Sequence, residues 1–159
     1  MRFVVLSDTH IPRYQREIPS LILKEIERSD GVIALGDFTN LETVLFLERS
    51  SKRFFGVHGN MDDYDVKEYL SFKKIVVLEG LTLGLCHGWG PPSDIRERIY
   101  DVFQEKPKLI LYGHTHTPDL SEFRGVTFLN PGTATKGGTF GILDLKNGEY
   151  NFQVVEIPK

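Results

Sequence analysis

The chain has 159 residues, 40% apolar and 26% charged, with 22 acids against 19 bases and a net charge of -3. That balance excludes a disordered chain and offers no basic stripe for nucleic acid and no surface for an anionic membrane, so both partners are unlikely on composition. One cysteine, Cys86, excludes an internal disulfide, and the longest apolar runs are far too short to span a bilayer.

Predicted elements alternate in type over the first part of the chain. Phe3–Leu6 is a short apolar strand, beginning so early that no secretory leader is expected before it. Ile18, Leu21, Ile22 and Ile26 follow at helical spacing behind Pro19-Ser20. Val32–Leu35 reads as a second strand, Leu41–Arg49 as a helix and Phe54–Val57 as a third strand. This succession implies a parallel sheet covered by helices. The later part changes style. Ile75–Leu78 and Leu81–Cys86 form a hairpin around Glu79-Gly80. Ser93–Phe103 is a helix whose N-terminus Ser93 and Asp94 suit after Pro91-Pro92. Leu109–Tyr112 is a buried strand, and Asn147-Gly148 between Phe140–Leu145 and Tyr150–Val155 signals a type I′ hairpin. The expectation is one α/β domain over residues 1–159, with two packed mixed β-sheets flanked by helices in a four-layer αββα sandwich. With one cysteine and no spanning segment, it is expected to be cytoplasmic.

The chemistry collects where strands end. Asp8-Thr9-His10, Gly36-Asp37, Gly59-Asn60-Met61-Asp62, His87-Gly88 and Gly113-His114-Thr115-His116 each follow a predicted strand. Ligands in open α/β sheets gather at the carboxyl ends of strands, so these blocks converge on one rim. Asp8 and His10, two apart, share a side if the chain is extended there. Four of the five histidines lie in these blocks. Most blocks alone read as an ordinary turn or a satisfied histidine, and His114-Thr115-His116, flanked by Gly113 and Pro118, is the most specific; one metal site accounts for all of them. Cys86 alternates away from His87 and reads as core filler.

The ordered set Asp-x-His, Gly-Asp, Gly-Asn, a lone His and Gly-His-x-His resembles the calcineurin-like metallophosphoesterase superfamily. Asn130-Pro131-Gly132-Thr133 extends the likeness to its small bacterial and archaeal phosphodiesterase branch. The resemblance implies that Asp8, His10 and His116 hold one metal, that Asn60, His87 and His114 hold a second, and that Asp37 bridges them. Carboxylate, imidazole and amide donors suit two divalent ions, with Mn2+ expected and Ni2+, Fe2+, Co2+ or Zn2+ able to replace it. Two such ions, less Asp8, Asp37 and a bridging hydroxide, leave a local charge of about +1 that attracts phosphate, against about -2 without metal. The implied function is hydrolysis of a small phosphate ester, a diester in the first instance, by attack of that hydroxide.

Larger members of the superfamily carry His after Gly-Asn, where this chain has Met61, which cannot donate a proton. His58 is the candidate general acid in its place. Asn60, Arg13 and Trp89 are candidates for substrate contact, the last by stacking, and Asp62 is a candidate to orient a ligand imidazole. The alternatives are a non-catalytic scaffold on the same fold, as in a retromer subunit resembling these enzymes, a phosphomonoesterase, or a nuclease, the last disfavoured by the missing basic stripe. Oligomeric state is not legible in the sequence.

Overall fold

A computed structural model describes residues 1–159. Its elements, in chain order, are β1 (Arg2–Leu6), α1 (Ser20–Glu27), β2 (Gly31–Ala34), α2 (Leu41–Ser50), β3 (Phe54–Gly56), α3 (Tyr64–Tyr69), β4 (Lys73–Leu78), β5 (Leu81–Cys86), α4 (Ile95–Val102), β6 (Leu109–Leu111), β7 (Asp119–Phe123), β8 (Val126–Asn130), β9 (Thr139–Lys146) and β10 (Glu149–Glu156).

The strands form two five-stranded mixed sheets, ordered β10-β9-β1-β2-β3 and β4-β5-β6-β8-β7. Period-2 alternation along the central strands divides their side chains between two cores. Phe3 and Val5 of β1, Ile33 of β2 and Leu143 of β9 face Leu83, Leu85, Leu109, Leu111 and Leu129 of the other sheet. Val4, Leu6, Val32 and Ala34 point outward onto Ile22 and Ile26 of α1, Val44 and Leu47 of α2 and Val66 of α3. On the far side, Cys86, Ile110 and Phe128 pack under Ile95 and Ile99 of α4. The layers are therefore helix, sheet, sheet, helix, as expected, and Cys86 does lie on the face opposite the inter-sheet core.

Three strands of each sheet run parallel: β1, β2 and β3 in the first, and β5, β6 and β8 in the second. The carboxyl ends in each parallel set lie on one edge, and each set opens a rim of loops. The expected I′ hairpin is present: Lys146 pairs with Glu149, and Asn147 and Gly148 have φ of 49° and 81°. It belongs to the first sheet, where β9 pairs antiparallel with β1, so the hairpin-rich C-terminal part serves both sheets.

Helix α3 and strands β7 and β8 escape the sequence reading, and the start of α4 differs from it. Helix α3 has six residues and buries only Val66, too little for a periodic signal. The β7–β8 hairpin turns at Arg124-Gly125, with φ of 49° and 83°. Helix α4 begins at Ile95; Asp94, instead of capping, sits at φ 61° with no side-chain bond to the helix. By contrast Asn40 caps α2, its Oδ1 accepting from Thr43 N at 2.9 Å. No helix is long and apolar enough to cross a membrane.

Leu85 is fully buried between the sheets, whereas Val77 on the outer face of edge strand β4 is 68% exposed. Leu85→Ala should cost about 2–5 kcal/mol of stability in urea unfolding, while Val77→Thr should change it by no more than about 0.5 kcal/mol.

Candidate metal centre

Residues from both rims meet in one cluster. Asp8, His10 and His116 place donor atoms within 4.8 Å of one another, and so do Asp8, Asp37 and His87. His10 Nε2 lies 3.5 Å from Asp8 Oδ1 and 3.9 Å from Asp37 Oδ2. His87 Nε2 lies 3.8 and 3.2 Å from the same two oxygens. His116 Nε2 is 3.3 Å from Asp8 Oδ1.

Both carboxylates are divided in use. Asp8 Oδ2 accepts from Ser7 Oγ at 2.6 Å and from His114 N at 3.2 Å. Asp37 Oδ1 accepts from Met61 N at 2.8 Å. The remaining oxygens, Asp8 Oδ1 and Asp37 Oδ2, face the imidazoles. Asp8 Oδ1, His10 Nε2 and His87 Nε2 are buried without a hydrogen-bond partner. Buried polar atoms are ordinarily satisfied, and three orphans converging on one point indicate a missing partner. Donors about 2.0–2.2 Å from a shared cation stand about 3.0–3.5 Å apart, close to the spacing here. The residues fit a divalent cation.

Electrostatics agree. Asp8 is 0% and Asp37 2% exposed, and two buried anions this close demand positive charge. In the metal-free protein, burial pushes the Asp8 pKa upward, but His10, His116 and His87 outweigh it and hold it well below the ordinary carboxylate range. Burial depresses His87, yet Asp37 and Asp8 overcome that and raise it to about 9. Hydrogen bonding to Asp8 likewise raises His116. Protons occupy the place a metal would take, and metal binding to such a site releases them.

The supports are local and specific. Leu35 O sits 2.6 Å from His87 Nδ1, which directs Nε2 into the cluster. Asp62 has a different task from the one expected of it. It touches no imidazole; its Oδ2 accepts from Asp37 N and Gly59 N at 2.9 and 2.7 Å, and its Oδ1 from Phe38 N and Thr39 N, both at 2.8 Å. It thereby pins the loop after β2 to the loop after β3. A Cβ at Gly59 would overlap Asp37 Oδ1, so only glycine permits that approach. Asn130 Nδ2 donates to Gly113 O at 3.1 Å, and Thr133 Oγ1 to Asp8 O at 3.0 Å, bracing two further loops. Ser7, Asn130 and Thr133 have no assigned role in the sequence reading. Their signal is adjacency, since each flanks or lies within a recognised block.

The ligand-bearing backbone is strained. Asp8, His10, Asp37, His114 and His116 have φ of 59°, 46°, 57°, 69° and 64°. Asp8 and His10 therefore converge through left-handed turns rather than along an extended strand, as their spacing had suggested. Left-handed non-glycine residues cost about 1–2 kcal/mol each and persist where surroundings over-determine them.

His114 lies beside His87, ring centroids 5.4 Å apart, with Nε2 2.8 Å from Gly90 O. Asn60 and His58 line an adjoining recess with His87, Lys67, Phe72 and Trp89. His58 Nδ1 is buried and unpartnered. Arg13 is exposed and packs over Tyr14, 5.6 Å from the ring centroid; Tyr14 in turn lies 4.9 Å from the His10 ring.

Fold and cluster together define a candidate divalent-cation site on a two-sheet α/β scaffold. The model of the calcineurin-like phosphoesterase superfamily domain matches residues 1–148, and the chain belongs to that superfamily. A phosphodiesterase of Methanocaldococcus jannaschii is 28% identical over 98% of this chain and all of its own length. Thermotoga maritima protein TM1076 is 48% identical over 98% of this chain and 99% of its own, with a TM-score of 0.83. Vps29 of Chaetomium thermophilum shares the fold at a TM-score of 0.76 and 20% identity, over 98% of this chain and 96% of that one.

Asp62→Asn would turn an amide NH2 toward two backbone N–H groups. It should cost at least about 2 kcal/mol in thermal unfolding and weaken divalent-cation binding in isothermal titration, although Asp62 is no part of the donor cluster.

Proposed function

We propose that the protein hydrolyses phosphoesters, diesters in the first instance, at a binuclear divalent-metal centre. The observation carrying this reading is the set of unpartnered donors, Asp8 Oδ1, His10 Nε2 and His87 Nε2, buried around two carboxylates. Asp8, His10 and His116 would hold one ion, and Asn60, His87 and His114 the other. Asp37 would serve both, and its Oδ2 lies between His10 Nε2 at 3.9 Å and His87 Nε2 at 3.2 Å. Mn2+ is the expected occupant, given oxygen and imidazole donors without thiolate. Held by these residues, two divalent ions would supply Lewis acidity toward phosphoryl oxygens and acidify a bound water.

The chain's own groups do the rest. Ser7 Oγ and His114 N hold Asp8, and Met61 N holds Asp37, each leaving one oxygen free for a cation. Leu35 O fixes the His87 ring. Met61 cannot protonate a departing alkoxide, and His58, lining the recess beside Asn60, is the proton donor within reach of a leaving group there. Retention of every donor type weighs against a purely scaffolding role, which requires none of them.

Hydrolysis of bis-p-nitrophenyl phosphate with added manganese tests the reading. Asp37→Ala should lower the rate at least about a thousandfold and reduce the manganese bound per chain; a rate near wild type would remove Asp37 from its bridging place. A general acid must be protonated, so its rate falls as pH rises through its pKa. On an alkyl phosphodiester, whose alkoxide leaving group needs a proton where p-nitrophenolate does not, His58→Gln should therefore be slower and lack the alkaline limb of the pH–rate profile. An unchanged profile excludes His58 as the donor.

A further inference from the structure

Beside the metal cluster lies a recess of about 130 Å³ lined by His58, Asn60, Lys67, Phe72, His87 and Trp89. Its room suits one planar ring system. Phe72 and Trp89 are 44% and 37% exposed, unusual for large aromatics that a core could have taken. Their centroids are 5.8 Å apart with planes at 49°, so they form an open corner and each leaves a face free. His58 extends the aromatic wall, its ring centroid 6.0 Å from that of Phe72.

A structural aromatic pins its own loop, but Trp89 is not needed for that. Arg98 donates to Trp89 O and Ser93 O, both at 3.0 Å, and to Pro91 O. Gly90 O is tied at 2.8 Å to His114 Nε2. The opposite wall is fixed by His58 N donating to Ser71 O at 3.0 Å. The loop that carries the indole is thus fixed by backbone contacts, and the indole is partly exposed in the recess beside His87. Such preorganisation lowers the entropy lost when a ring binds.

His87 belongs to both the cluster and the recess. We propose that the recess is a subsite for a planar aromatic substituent, aryl or nucleobase, of the phosphoester, received against the corner that Phe72 and Trp89 form. This rests on the phosphoesterase reading and adds the substrate class. Exposed aromatic faces favour stacking over alkyl chains, and Lys67 Nζ, 3.4 Å from Asn60 O, sets a cation at the mouth for the negative charge such esters carry.

Trp89 is the only tryptophan, so its fluorescence reports on the recess directly, without turnover. In manganese-loaded protein, phenyl phosphate and adenosine 5′-monophosphate are titrated beside their ring-free counterparts, methyl phosphate and ribose 5-phosphate. Saturable quenching by at least one aromatic ester, about tenfold tighter than its counterpart, is expected. Quenching by phenyl phosphate alone places the ring directly on the ester oxygen; quenching by the nucleotide places it a ribose away. Phe72→Ala should weaken that binding about tenfold, and Phe72→Tyr should restore it. Equal responses to aromatic and ring-free esters, or unaltered affinity in a folded Phe72→Ala protein, overturn the proposal. Hydrolysis of bis-p-nitrophenyl phosphate without aromatic preference in binding overturns this subsite alone, whereas absence of hydrolysis in every metal counts against the catalytic reading itself.

Discussion

Two carboxylates buried side by side govern this molecule. Asp8 and Asp37 are almost wholly removed from solvent, and each keeps one oxygen free. In a low-dielectric setting two such anions repel strongly unless positive charge lies between or around them. The carboxylates raise the pKa of His87 and of His116, which favours positive charge there in the metal-free protein, and divalent cations would supply it in the loaded one. The same atoms meet both needs, which is why folding, proton uptake and metal binding are coupled here.

Holding that arrangement shapes the surrounding backbone. Five ligand-type residues occupy left-handed conformations, and loops from two sheets must approach more closely than side chains generally allow. Glycine permits the approach, as at Gly59 against Asp37 and at Gly113 against Ser7. Polar side chains then secure it: Asp62 gathers four backbone N–H groups, and Asn130 and Thr133 tie the loops after β6 and β1 to the segment after β8. The strain sits on a rigid base, since the strands beneath are packed on both faces.

One architecture can serve different ends, and Vps29 shares this fold. What separates these ends is the rim. In this chain the rim has five clustered carboxylate and imidazole residues, His58 beside Asn60, and an aromatic corner at Phe72 and Trp89. The first feature speaks for chemistry on phosphate; the last concerns which phosphate ester enters.

Local pattern determined much of this in advance. Short apolar runs with β-branched residues marked β1, β2, β3 and β6, Asn147-Gly148 marked the β9–β10 turn, and polar residues at strand ends marked the donors of the cluster. Each is a signal confined to a few neighbouring residues, and steric and hydrophobic preferences act at that range. The tertiary structure decided what depends on distant partners. Helix α3 and strand β7 owe their form to the surfaces they cover and pair with, not to their own periodicity. Asp62 could be seen as polar and close to the site, but its four N–H partners include three from the loop after β2, more than twenty residues earlier. Asp8 and His10 come together for a different local reason from the one their spacing suggested, because left-handed turns replace the extended chain. The corner formed by Phe72 and Trp89 has no local signature either, since it exists only where the start of β4 pairs beside the end of β5.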